Sequence, residues 1–181
     1  GNMKLFWAPM LQKKQLAAKH PIAKNLGYVI FLQGGTVDAS EAQANKNLKT
    51  TILAKSSEKS WVQSKDIQLY PNMQAPIDRS IEKSENLAVL IEGKFPSAFD
   101  KSPTKQENNE TGISANTHIS QGTQNGKLFV VNTSFITSNQ LIDPECSEPV
   151  AMFVRNAIDY MNGNEDLCTM RTKGLALNTL K

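Results

Sequence analysis

The sequence predicts an α/β domain organised around a β-α-β unit, and three observations near its carboxyl end carry the prediction. Asn125-Gly126 is a turn signal, and Leu128, Phe129, Val130 and Val131 follow as a continuous apolar run, the composition of a strand buried on both faces. Val150, Phe153, Val154, Ala157, Ile158 and Met161 then recur at the spacing of one helical face, with Arg155, Asn156 and Asp159 opposite. Ser147 stands as an N-cap ahead of Glu148 and Pro149, and Gly163 stands where a left-handed stop is expected. Leu167 to Met170 completes the unit as a second short strand. Strands joined through a helix pair in parallel. On this reading Ile158 is buried, and Ile158→Asp should unfold or severely weaken the domain by placing a charge in the core.

The remaining elements follow in order. Leu5 to Met10 reads as a strand or strand edge, Leu11 to Lys19 as a basic, weakly helical connection. Pro21 disfavours helix at His20, and Tyr28 to Leu32 is a β-prone run ended by Gly34-Gly35. A polar loop over residues 36–47, with helical tendency from Ala39 to Asn45, leads to a Thr- and Ile-rich strand at Leu48 to Ala54. Ile67 to Tyr70 is a short extension, and Pro71 and Pro76 break the chain. Leu87 to Ile91 is a second clear buried strand, ending at Glu92-Gly93-Lys94 before Pro96. Residues 100–125 are rich in Lys, Ser, Thr, Asn, Gln and Gly, too polar to bury much, and are expected as a mobile loop between core strands.

Composition bounds the function. A chain of 181 residues with 39% apolar residues is expected to form one globular domain, residues 1–181. A net charge of +3, evenly spread and without basic residues interleaved with aromatics, argues against nucleic acid. No apolar run is long enough to span a bilayer, so any membrane attachment is expected through flanking segments. Gly1-Asn2-Met3 resembles an expression scar, which makes this an expected fragment of a longer protein.

Chemistry-bearing residues are few. His20 lacks an obvious carboxylate or nucleophile partner and is expected to pack in a loop; His118 is a lone histidine in polar sequence. Ser56, Ser57 and Ser60 form a cluster after a strand, but no Gly-x-Ser-x-Gly turn accompanies them, so a solvated turn is expected. Cys146 and Cys168 flank the predicted helix and do not form a zinc or redox motif. They are expected unpaired, with a disulfide left open. Cys146 stands just before a helix N-terminus, as a reactive thiol could, yet Asp143, Glu145 and Glu148 surround it. Trp7, Trp61 and Tyr70 could serve as stacking platforms for a carbohydrate or surface, with core or edge packing preferred. No glycine-rich phosphate loop follows a strand, and neither cofactor nor metal is expected. After the strand at Val131, Asn132, Thr133, Ser134 and Ser138 offer hydroxyls and amides without acid or base. They could bind a ligand rather than react with it.

Several segments together carry a resemblance. His20-Pro21-Ile22-Ala23-Lys24-Asn25-Leu26, Leu87 through Ser97 with its Glu92-Gly93-Lys94-Phe95 turn, and Arg155-Asn156-Ala157-Ile158-Asp159-Tyr160-Met161 followed by Glu165-Asp166-Leu167 and Met170-Arg171-Thr172-Lys173 stand in order along the chain. Thr50 to Trp61 adds a looser match. These segments resemble the auxiliary proteins of ABC-type transport systems associated with gliding motility. The resemblance implies a three-layer sandwich with a mostly parallel sheet, like the later part of a class I glutamine amidotransferase-like, flavodoxin-like domain. It also implies a non-catalytic domain on the extracytoplasmic, periplasmic face, tethered by membrane helices and partnered by a permease and an ATPase. One departure stands out: where the family often has an acidic turn, this chain reads Asn132-Thr133-Ser134, so a cation-holding or helix-capping acid is not expected there. The alternatives are an amidotransferase-like hydrolase and a carbohydrate- or surface-binding module.

Overall fold

The structure, a computed structural model, describes residues 5–71, 76–101 and 118–177. Strands β1 (Met10–Gln12) and β2 (Tyr28–Ile30) form a small antiparallel sheet. Strands β3 (Leu48–Lys55), β4 (Asn86–Gly93) and β5 (Gly126–Val131) form a second, in the order β3-β4-β5. Short helix α1 (Ser40–Ala44) precedes β3, and α2 (Pro149–Met161) and α3 (Glu165–Leu177) close the fold. Among the described residues every strand pairing is antiparallel. None of the described helices is long and apolar enough to cross a membrane.

The central strand explains why the sheet is stable. β4 is buried along Leu87 to Ile91, and its side chains alternate between two apolar clusters. Ala88 and Leu90 join the main core with Val29, Phe31, Leu53 and Phe153, while Val89 and Ile91 pack with Ala39 below α1. The continuous apolar run therefore marks a strand covered on both sides. β5 is different. It lies at the edge of this sheet, with Leu128 46% exposed, so the run that suggested two buried faces buries mainly the side toward α2. The turn after β4 requires Gly93, whose φ is +136°; a Cβ there would lie 2.2 Å from the Asn47 carbonyl oxygen. Past that turn, Gly122 N donates to Phe95 O and Ser97 N to Ser120 O, so pairing continues beyond β4 and β5. Most of the polar stretch 100–125 lies outside the described residues.

Helix α2 has the expected span, with Pro149 at its start and Gly163 at φ +81° after its end. Glu148 rather than Ser147 is the N-cap, without a side-chain capping bond. Its carboxylate instead accepts from the Asp143 N–H at 2.7 Å. Phe153 is fully buried, its ring 6.2 Å from that of Phe31 and 5.8 Å from that of Phe129, in edge-to-face contacts. Val150 and Ala157 share that face, but Ile158 is 50% exposed. Asn156, assigned by its polarity to the outer side, is fully buried instead. The expected burial of Ile158 is therefore corrected: hydrogen bonds to Asn156 turn the helix so that this amide faces inward.

A second correction concerns Leu167 to Met170, which is helical rather than a strand. Gly163 reverses the chain, Glu165 and Asp166 occupy the first turn of α3, and Cys168 and Thr172, one turn apart, face inward against α2. The parallel pairing that a second strand would have supplied at this place is thus replaced by a helical hairpin. The opening segment pairs as a strand edge, with Phe31 N donating to Pro9 O and Gln33 N to Trp7 O, but β1 itself runs from Met10 to Gln12, so Leu11 and Gln12 are strand rather than the start of a helical connection.

Candidate functional site

The carboxyl ends of β2 and β3, the start of β4 and the segment 5–9 meet around a cavity of about 620 Å³. The sequence brings them there by local means. Beyond β2, Gln33 adopts φ +48° and Gly34-Gly35 follow, bending the chain over the end of β5. Gly35 is required by close approach: its N–H donates to Asn132 O at 2.7 Å, and a Cβ would lie 2.4 Å from the Asn132 amide nitrogen. Beyond β3, Ser56 is buried, accepts from the Glu85 N–H at 2.9 Å and holds the end of β3 to the start of β4. Ser57 and Ser60 share a hydroxyl hydrogen bond of 3.1 Å and turn the chain into Trp61.

Aromatic residues dominate the wall. Phe6 and Trp61 pack with ring centroids 5.0 Å apart, and Trp7 lines the same cavity. The Trp7 indole N–H is buried and has no hydrogen-bond partner among the described residues. Polar groups on the lining are mostly uncharged: Gln33, Ser57, Ser60, Gln63 and Gln68. The Glu85 carboxylate is paired with Lys83 at 2.9 Å.

Asn132 and Thr133 lie behind this cavity. The Asn132 amide donates to Thr36 O at 2.9 Å; the Thr133 hydroxyl donates to Leu32 O at 2.6 Å and accepts from Phe135 N at 3.2 Å. Both brace the segment 32–36 against β5. Ser134 is exposed, and the Ser138 hydroxyl accepts from Gln140 N at 3.3 Å within its own turn. The four residues singled out after Val131 therefore divide, two into the brace and two onto the following turn. The cavity itself was harder to foresee, because its walls come from segments far apart in sequence. The serine cluster and Trp7 and Trp61 were the legible signal; Tyr70, the third aromatic, is 53% exposed.

Residues 2–169 match the family model described as an ABC-type uncharacterized transport system. The chain belongs to this family of auxiliary ABC transport components. No curated protein and no solved structure gave a match.

In this auxiliary component the segments that carried the resemblance converge inside the fold. Asn156, at the centre of α2, donates from its amide to Ile22 O at 3.1 Å, in the segment opened by His20-Pro21. Its carbonyl accepts from Arg171 of α3, whose other arm binds Asp159. The Cys168 thiol donates to Asn156 O at 3.2 Å, and burial pushes its pKa up. Cys146, in a left-handed backbone at φ +51°, directs its thiol to Asp143 O at 3.5 Å, and both cysteines are free.

His20, Tyr160 and Glu92 meet at the opposite end of β4. The His20 ring packs 4.7 Å from that of Tyr160, and His20 Nδ1 accepts from Ile22 N at 3.3 Å. Tyr160 donates to Glu92 Oε1 at 3.0 Å, while Lys127 lies 4.3 Å from the tyrosine ring centroid and donates to Tyr160 O. Burial, then the Glu92 hydrogen bond, pushes the Tyr160 pKa up to about 12, and burial lowers that of His20. Seven residues of β4 separate this cluster from Ser56, roughly 20 Å at about 3.3 Å per residue. His20 and the serines therefore cannot form one nucleophile-base set.

Proposed function

We propose that the domain is a non-catalytic auxiliary part of an ABC-type transport system of the gliding-motility-associated type. In this reading it sits on the extracytoplasmic face, is tethered by flanking membrane segments, and meets the permease and ATPase through the full-length protein. One observation carries the reading: the family match covers residues 2–169, and within it the motif residues Ile22 and Arg171 both bind Asn156, while the thiol beside them, Cys168, is buried with its pKa pushed up by burial rather than activated. Such an arrangement holds a shape. The cavity between Trp7 and Trp61 supports contact with a ligand or partner, since pockets of a few hundred Å³ with apolar walls and few polar groups are the usual form of a binding site.

The test uses the full-length protein in its native membrane. Affinity purification should bring down a permease and an ATPase, and external protease should cut the domain in intact spheroplasts. Recovery of the protein from the cytosol, free of both subunits, would overturn the reading.

A further inference from the structure

We infer that the cavity at the carboxyl ends of β2 and β3 is a binding site for a neutral saccharide. The inference rests on the reading of this cavity as the contact site and names its ligand class. Three features of the lining select that chemistry. Trp7, Trp61 and Phe6 supply flat apolar faces, the surface against which the C–H face of a pyranose ring packs. Between them the polar groups are hydroxyls and amides: Ser57 and Ser60, which share one hydrogen bond and keep further capacity, Gln33, and Gln63, whose NH2 donates to Lys65 O and Asp66 O and whose carbonyl accepts, a set that matches a ligand made of hydroxyls. Charges on the lining are few: Glu85 is held by Lys83, and among the described residues Lys59 is the one cation beside the uncharged polar groups. A cationic ligand would find its carboxylate already taken, and an anionic one only Lys59, which the polyanion control below tests.

The fourth feature is the buried Trp7 N–H without a partner among the described residues. A buried donor left unpaired is unfavourable, and a small turn of the Trp7 ring on binding would bring it to a ring or hydroxyl oxygen in the cavity. A purely apolar side chain would leave it unpaired. The volume of about 620 Å³ accommodates a short oligosaccharide segment rather than an extended protein surface.

Tryptophan fluorescence and calorimetry on the purified domain test this, with cellohexaose, maltohexaose and chitohexaose as probes. Polygalacturonate and an apolar hexapeptide serve as controls. At least one neutral oligosaccharide should bind and shift the emission. Trp61→Ala should weaken it by roughly tenfold or more, and Trp7→Phe, which keeps the ring and removes the N–H, by a smaller but measurable factor. Both variants should keep the wild-type circular dichroism. Should the Trp61 variant unfold, Trp7→Phe and Ser60→Ala carry the test alone. Absence of binding by all three neutral probes, preference for the peptide or the polyanion, or unchanged affinity in the variants would overturn the inference. Saccharide binding without co-purification of transporter subunits would sink the transport reading and leave this one standing; the reverse result would do the opposite.

Discussion

Asn156→Ala should be among the most damaging conservative changes in the protein. Asn156 is fully buried, and its amide is the donor to Ile22 O while its carbonyl accepts from Arg171. Truncation leaves the Ile22 carbonyl without that donor, at a cost of about 1–3 kcal/mol, and takes an acceptor from a guanidinium, about 1.5–3 kcal/mol. The second figure is discounted because Arg171 keeps Asp159 and its side chain is 17% exposed. The two losses share one side chain and do not simply add, so the expected destabilisation is about 3 kcal/mol. With a urea m-value of about 2 kcal/mol per M, the unfolding midpoint followed by circular dichroism should fall by about 1.5 M. Asn156→Asp tests the donor separately: it keeps an acceptor for Arg171 but sets a buried carboxylate oxygen against the Ile22 carbonyl, so it should cost at least as much as the Ala variant. A midpoint unchanged in the Ala variant, or an Asp variant as stable as wild type, would refute the argument that this side chain ties both segments.

Ile158→Asp, on the half-exposed side of α2, should cost about 1 kcal/mol or less in chemical denaturation, whereas Phe153→Ala should cost about 3–5 kcal/mol. Gly93→Ala should be far worse than Gly163→Ala, because a Cβ at Gly93 meets the Asn47 carbonyl at 2.2 Å while Gly163 has only its positive φ to defend; thermal melts of the pair decide this. His20 has its pKa lowered from 6.5 by burial, opposed by Glu92 and Glu165 and assisted by Lys49 and Lys127. Its unfolded form binds the proton first, so its contribution to stability is complete above about 6.5 and is lost as pH falls below it. His20→Gln should flatten the pH dependence of the urea midpoint over that window.

The parts of the fold that were legible in sequence are those where local pattern and burial agree. β4 is buried on both faces and its run of apolar residues says so; α2 has a strong helical period, a proline at its start and a glycine after its end. Where a single polar side chain overrides the pattern, reading failed. Asn156 is buried because Ile22 and Arg171 satisfy it, a condition set by residues distant in the chain, and its inward turn exposes Ile158. The stretch Leu167 to Met170 is short enough that strand and helix look alike; the hairpin at Gly163 and the buried pair Cys168 and Thr172 decide for helix. The site behaved similarly. Each of Trp7, Ser57, Ser60 and Trp61 was visible, but their meeting depends on Gly35 lying against Asn132, a tertiary contact with no local signature.

The Asn156 to Ile22 bond spans 134 positions of sequence. Closure entropy grows only logarithmically with such a span, so the burden falls on the rate of folding more than on its equilibrium. Synthesis releases the amino end first, and the segment opened by His20 must wait for α2, and then for Arg171, before its carbonyl and the helix amide are joined. Until then the early strands lack the face that covers them. In the growing chain the Ile22 carbonyl therefore waits for a partner 134 positions downstream, and the apolar side of the early strands is open to wrong contacts in that interval.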